Sequence, residues 1–198
     1  MSGLPLNIDM KGRPVLVAGG GSVAYRKVKV LLESQAMVRI VAPEMLPDLA
    51  GLTAAEGVPV RLGRYETGDL EGVFLVVAAT GDAAVNARIA ADARERGILV
   101  AVSDAPDLGD CTFPAVVRRG ALEIAVSTGG RCPALAVEVR NVLAGVIGEE
   151  YGLALEHLAA EREKLLTEGK GSTYNGAIMR SRARELVAEF TERKERVP

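Results

Sequence analysis

The chain has 198 residues, 48% of them hydrophobic and 25% charged, and a formal net charge of −2; this length suits one main domain with an appendage or two small ones, and the balance argues against a nucleic-acid partner. Aromatic residues make up 4%, with no Trp, so the core must be built from Val, Leu, Ile and Ala. Cys111 and Cys132 form no CxxC and have no matched His cluster, no apolar run reaches the roughly 18 residues of a membrane span, and Met1 to Met10 lack a basic-then-apolar leader; the expectation is a cytoplasmic protein with free thiols, no metal site and no membrane contact.

In chain order, residues 14–18 form a short apolar run ending in Gly19-Gly20-Gly21, the pattern of a fully buried strand. Val23, Val28, Leu31 and Leu32 then recur near helical spacing and predict a helix over 22–34. Strand 37–42 is stopped by Pro43, a short helix covers 47–57, and 58–62 reads as a weak strand. The run 73–79 is a strong strand, 83–96 a helix closed by Gly97, and 98–103 a strand. Alternating strands and helices indicate an open parallel sheet. Beyond Asp104 the pattern changes: strands 113–117 and 122–127 flank an Arg119-Gly120 turn, and Pro133 opens a helix to 147. The charged remainder reads as helices 151–167 and 174–194, broken at Gly169 to Ser172.

Gly19-Gly20-Gly21-Ser22-Val23-Ala24 fits G-x-G-x-x-A between a buried strand and a helix. Gly19 would permit the tight turn, Gly21 would let a pyrophosphate approach the backbone, and Ala24 would let the helix pack close to the sheet. Free amides from Gly21 to Ala24 and the helix dipole favour an anion there. This is a Rossmann-type dinucleotide site; the alternative is a Gly-rich turn without a ligand. The acid that usually reads the ribose would fall at Val41-Ala42, both apolar, and the nearest is Glu44. With no Arg following directly, the position reads as NAD rather than NADP, contacted through the backbone of Ala42, Pro43 and Glu44. Thr80 and Gly81, after the fourth strand, lie where strand ends line a ligand crevice; Asp82 reads equally as a helix cap.

Further stretches extend the pattern in order: Leu4-Pro5-Leu6, Arg26-Lys27, Ala78-Ala79-Thr80 with Val85-Asn86, Val102 to Pro106, Phe113-Pro114, and Ala125 to Gly130 with Pro133. With the glycine loop they span about 150 residues and resemble the precorrin-2 dehydrogenase family, the N-terminal half of sirohaem synthase and its stand-alone relatives. The resemblance implies NAD-dependent removal of two hydrogens from precorrin-2 to give sirohydrochlorin. It also implies a homodimer formed through the central region. The expected layout is α/β: a Rossmann domain over 1–112, a small α+β dimerisation region over 113–148, and a helical segment over 149–198.

Asp104 follows the fifth strand, where a carboxylate can accept a proton. From the residues alone it reads equally as a turn former before Ala105-Pro106; the resemblance implies the dehydrogenating aspartate. The implied substrate carries eight carboxylates, for which Arg118, Arg119, Arg131 and Arg140 are candidate partners, each also an ordinary surface residue. Ser127, Thr128 and Gly129 precede a helix and could cradle a carboxylate; Thr128 stands where the fused relatives typically carry Ser. His157 reads as a helix-surface residue and Cys111 as structural. Two alternatives stay open: an enzyme that also inserts ferrous iron as a second substrate, and a non-catalytic NAD-responsive tetrapyrrole carrier.

Overall fold

The computed structural model describes residues 3–167 and 176–195; the break expected at Gly169 to Ser172 lies outside them. The chain divides into two compact units, Met1–Phe113 and Pro114–Pro198.

In the first unit five strands, β1 (Pro14–Ala18), β2 (Met37–Ala42), β3 (Val60–Leu62), β4 (Leu75–Ala78) and β5 (Leu99–Val102), form a parallel sheet in the order β3-β2-β1-β4-β5. It is an α/β sheet of Rossmann type. The register sets Val17 beside Ile40 on one neighbour and Val77 on the other. Alternate side chains leave on opposite faces, and both faces are covered, which is why the strands read as continuous apolar runs. One face buries Val15, Val17, Ile40 and Val77 beneath Ala24, Val28 and Leu31 of α1 (Ser22–Glu33) and Leu49 of α2 (Pro47–Glu56). The other buries Leu16, Val76 and Val100 beneath Ile89, Ala90 and Ala93 of α3 (Ala83–Glu95). The connections reverse direction between β1 and β4, the switch point where such sheets bind ligands.

Strand β3 begins two residues later than expected because Pro59 has no N–H to give and the Val58 amide turns back to Thr53. Two 3-10 turns, Thr67–Leu70 and Pro106–Leu108, were not foreseen; in the first, Glu66 and Asp69 cap each other reciprocally.

The second unit holds an antiparallel hairpin, β6 (Ala115–Arg119) and β7 (Leu122–Val126), with helices α4 (Pro133–Val146), α5 (Glu149–Thr167) and α6 (Gly176–Glu195). The first strand lies two residues beyond its expected place. Pro114 cannot donate to a ladder, and Gly120 at φ +57° supplies the left-handed first position of a two-residue turn between Arg119 and Leu122. Helix α5 crosses the hairpin end at backbone contact: a Cβ on Gly152 would lie 2.5 Å from the Arg119 carbonyl. Arg119 donates to the carbonyls of Ala144 and Ile147 at 2.9 and 2.8 Å, satisfying acceptors that the end of α4 leaves open. Among the described residues, no helix is long and apolar enough to cross a membrane.

Candidate functional site

Two of the three glycines after β1 are required by close backbone contacts, and the third faces open space. Gly19 has φ +133°, and a Cβ there would stand 2.2 Å from the Ala79 carbonyl oxygen, so the turn crosses the β4 end at backbone contact. A Cβ on Gly20 would stand 1.8 Å from the Glu44 carbonyl oxygen, while the Gly20 carbonyl accepts from the Leu46 amide at 2.9 Å. Gly20 therefore locks the glycine loop to the segment after β2. Gly21 is extended, and a Cβ there would meet nothing within 4 Å. It caps α1 with no side-chain hydrogen bond and no acid in the first turn. The amides of Ser22, Val23 and Ala24 thus open a helix whose N-terminus is uncapped beside open space, an arrangement that fits a dinucleotide diphosphate. Ala24 is fully buried, the close helix–sheet packing expected of it.

At the end of β2, Ala42 is buried and its carbonyl accepts from Gly63 at 2.9 Å. Pro43 and Glu44 are exposed beside it.

The ends of β4 and β5 meet through Asn86 in α3. Its Oδ1 accepts from the Thr80 hydroxyl at 2.7 Å and the Thr80 amide at 3.2 Å. Its Nδ2 donates to the Thr80 carbonyl at 3.2 Å and to Asp104 Oδ1 at 2.9 Å. Asp82 caps α3, accepting from the amides of Ala84 and Val85 at 2.8 and 3.3 Å, and the Thr80 hydroxyl also contacts the Asp82 carbonyl at 3.0 Å. Asp104 and Gly81 are exposed. The structure thus brings Thr80 and Asp104 onto one polar corner.

Elsewhere in this unit, the Lys27 ammonium lies 4.1 Å over the Phe113 ring. Burial pulls the Lys27 pKa below the usual lysine value, helped by the Arg26 charge and opposed by Cys111. Burial in turn pushes the Cys111 thiol up, with Asp110 adding to it. Cys111 and Cys132 are both free.

In the second unit, Ser127 Oγ accepts from the Gly129 amide at 3.2 Å and Thr128 Oγ1 from the Cys132 amide at 3.3 Å. Gly129 and Gly130 have φ of +61° and +79°, which carries the chain around to α4. Arg118 pairs with Glu123 across the hairpin at 2.6 Å. Arg119 clamps the end of α4, Arg131 is exposed, and Arg140 Nε is buried without a hydrogen-bond partner among the described residues. His157 sits exposed on α5 in a groove shared with Leu158, Arg182 and Leu186.

Sequence reasoning missed Gly20 and the role of Asn86. The signal for Gly20 was the middle glycine of three in a row, at a motif position that tolerates any residue. For Asn86 it was an amide falling in the buried stripe of α3 with Ala90 and Ala93.

Residues 6–115 match a family model described as "Putative NAD(P)-binding". The chain is 47% identical over 152 residues to the siroheme synthase of Ectopseudomonas mendocina (strain ymp), covering 77% of this chain and 32% of that one. It is 43% identical over 171 residues to the siroheme synthase of Pseudomonas fluorescens (strain Pf0-1), covering 86% and 36%. The chain thus spans about a third of the length of these curated relatives. Among solved structures it is similar to SirC, precorrin-2 dehydrogenase, with a TM-score of 0.67 and 27% identity over 96% of this chain and 99% of that one.

Proposed function

Because the chain belongs to the NAD(P)-binding family whose model spans residues 6–115, we propose that it is an NAD-dependent dehydrogenase that converts precorrin-2 to sirohydrochlorin. The observation that carries this reading is the corner where Asn86 joins Thr80 to Asp104, in the same unit as the glycine loop. The similarity to a precorrin-2 dehydrogenase over nearly the whole chain supports the substrate.

NAD, when bound, supplies the hydride acceptor. Gly19 and Gly20 set the turn, and Gly21, Ser22, Val23 and Ala24 offer the amides for the diphosphate. Ala42, Pro43 and Glu44 form the ribose edge, and Thr80 and Gly81 line the crevice. Of the two hydrogens the substrate would lose, the one that leaves as a proton would pass to the Asp104 carboxylate. Ser127, Thr128, Gly129 and Arg131 hold substrate carboxylates, and Arg118 contributes once its Glu123 partner yields.

A second reading adds ferrous iron as a further substrate, inserted into sirohydrochlorin; the relatives named siroheme synthase favour it. The protein is read as cytoplasmic and homodimeric. Leu135, Val139 and Val142 share one exposed face of α4, with Val142 68% exposed, and a second copy would cover that apolar surface.

The test is anaerobic. Purified chain is given enzymatically made precorrin-2 and NAD, then, separately, sirohydrochlorin and ferrous iron. NADH formation that requires both precorrin-2 and chain supports the dehydrogenase, and iron insertion above the uncatalysed background supports the second reading. An absence of NADH sinks the proposal.

A further inference from the structure

We propose that Asn86 is the positioning residue of this site: its amide fixes the Asp104 carboxylate at a set place relative to Thr80. The proposal rests on the reading of Asp104 as the proton-accepting carboxylate.

Asn86 is 1% exposed, one of two buried polar residues among those described. A buried amide costs free energy unless its donors and acceptors are paired. Here both donors and both acceptor sites of the side chain are used. Three of the four bonds close on Thr80, and the fourth leaves the turn and ends on Asp104. The three bonds hold the amide plane, so the direction of the remaining N–H is set before any ligand arrives. Asp104 lies in an exposed segment after β5, and this donor restrains its carboxylate.

Capping does not explain the amide, because Asp82 already takes the first amides of α3. Packing does not explain it either: Asn86 occupies a stripe with Ala90 and Ala93, where an apolar side chain would avoid burying polar atoms. What the amide adds is a link between the end of β4, which lines the dinucleotide crevice, and the carboxylate that follows β5. One side chain thereby sets the spacing of the hydride acceptor's bed and the proton acceptor, the alignment on which rate depends steeply.

Asn86→Ala and Asn86→Asp in the full chain test this, read by NADH binding, thermal midpoint and steady-state NADH formation from precorrin-2 across neutral pH. Asn86→Ala is expected to lower kcat roughly 100-fold while NADH binding and KM for NAD, to which Thr80 contributes, change far less. Asn86→Asp keeps the acceptor for Thr80 but turns a carboxyl toward Asp104, with Asp82 the other carboxylate at this turn. Two facing carboxyls share one proton, so its kcat falls further as rising pH removes that proton, a limb absent from the parent. Unchanged kcat in either variant overturns the proposal. So does a parallel loss of kcat, NADH binding and thermal midpoint with a parent-like pH profile, which would assign Asn86 to stability alone; failure of both variants to fold makes the same assignment. Asp104→Ala run alongside separates the two readings. If it retains full kcat, the role of Asp104 fails and this proposal with it, by a result distinct from unchanged Asn86 variants.

Discussion

The β4–β5 corner of the first unit and the Ser127-to-Cys132 turn of the second are built in opposite ways. In the corner, a buried amide ties Thr80 to Asp104 through bonds that join separate strands. In the turn, Ser127 and Thr128 accept from amides two and four residues on, so the hydroxyls serve their own loop. The first arrangement is fixed by the sheet and its core before a ligand arrives. The second is local: the two hydroxyl oxygens accept from their own loop and keep their O–H donors, whereas Arg118 is paired with Glu123 on the hairpin. Long-range contacts thus set the corner of the first unit, and local ones set the turn of the second.

The largest break in that comparison should come from Asp104→Ala. Loss of a proton acceptor typically lowers the rate by about 10²- to 10⁴-fold, and NADH titration should show binding retained. Next come the glycines. Gly20→Ala forces a Cβ against the Glu44 carbonyl and should cost roughly 1–3 kcal/mol of stability by denaturant unfolding, with weaker NADH binding. Gly21→Ala meets open space; it should unfold like the parent yet bind NADH poorly, because its methyl would intrude on the diphosphate position proposed above.

A smaller effect belongs to the second unit. Arg131→Ala should raise KM for precorrin-2 more than Arg118→Ala does, since Arg118 is already committed to Glu123; steady-state kinetics at saturating NAD rank the two. The reverse order would mean that the exposed ion pair opens readily and that the hairpin is the main contact.

The smallest effect is acid sensitivity in the first unit. Burial alone would lift Asp69 and Asp92. Hydrogen bonds outweigh it, from Arg61 and the Glu66 amide to Asp69 and from Thr67 and Tyr65 to Asp92, with arginine charges behind both. Both carboxyls therefore lie below the ordinary aspartate value. Their stabilisation is fully present above the unfolded pKa of about 4 and is lost as pH falls through the lower folded values. Asp69→Asn or Asp92→Asn should flatten the acid slope of the thermal midpoint, measured by circular dichroism.

The same contrast explains what was legible in the sequence. Strand β2 and the helix after the glycine loop were readable because apolar spacing and Pro43 act locally. The need for Gly20 was hidden because the atom that forbids a Cβ belongs to Glu44, in a segment that only the folded sheet brings near. Asp104 was marked by its place after a strand and by the family resemblance, whereas Asn86, its holder, lay inside a helical stripe that reads as core. The hairpin's two-residue offset came from reading Phe113-Pro114 as strand, although Pro114 has no amide for a ladder.

The most direct test of the central claim counts products in one anaerobic reaction containing the chain, NAD and precorrin-2. NADH and sirohydrochlorin are expected to form in equal amounts, and both rates to fall by about 10²-fold or more in Asp104→Ala, which still binds NADH. Sirohydrochlorin formed without NADH, or at the same rate in Asp104→Ala, would contradict the claim.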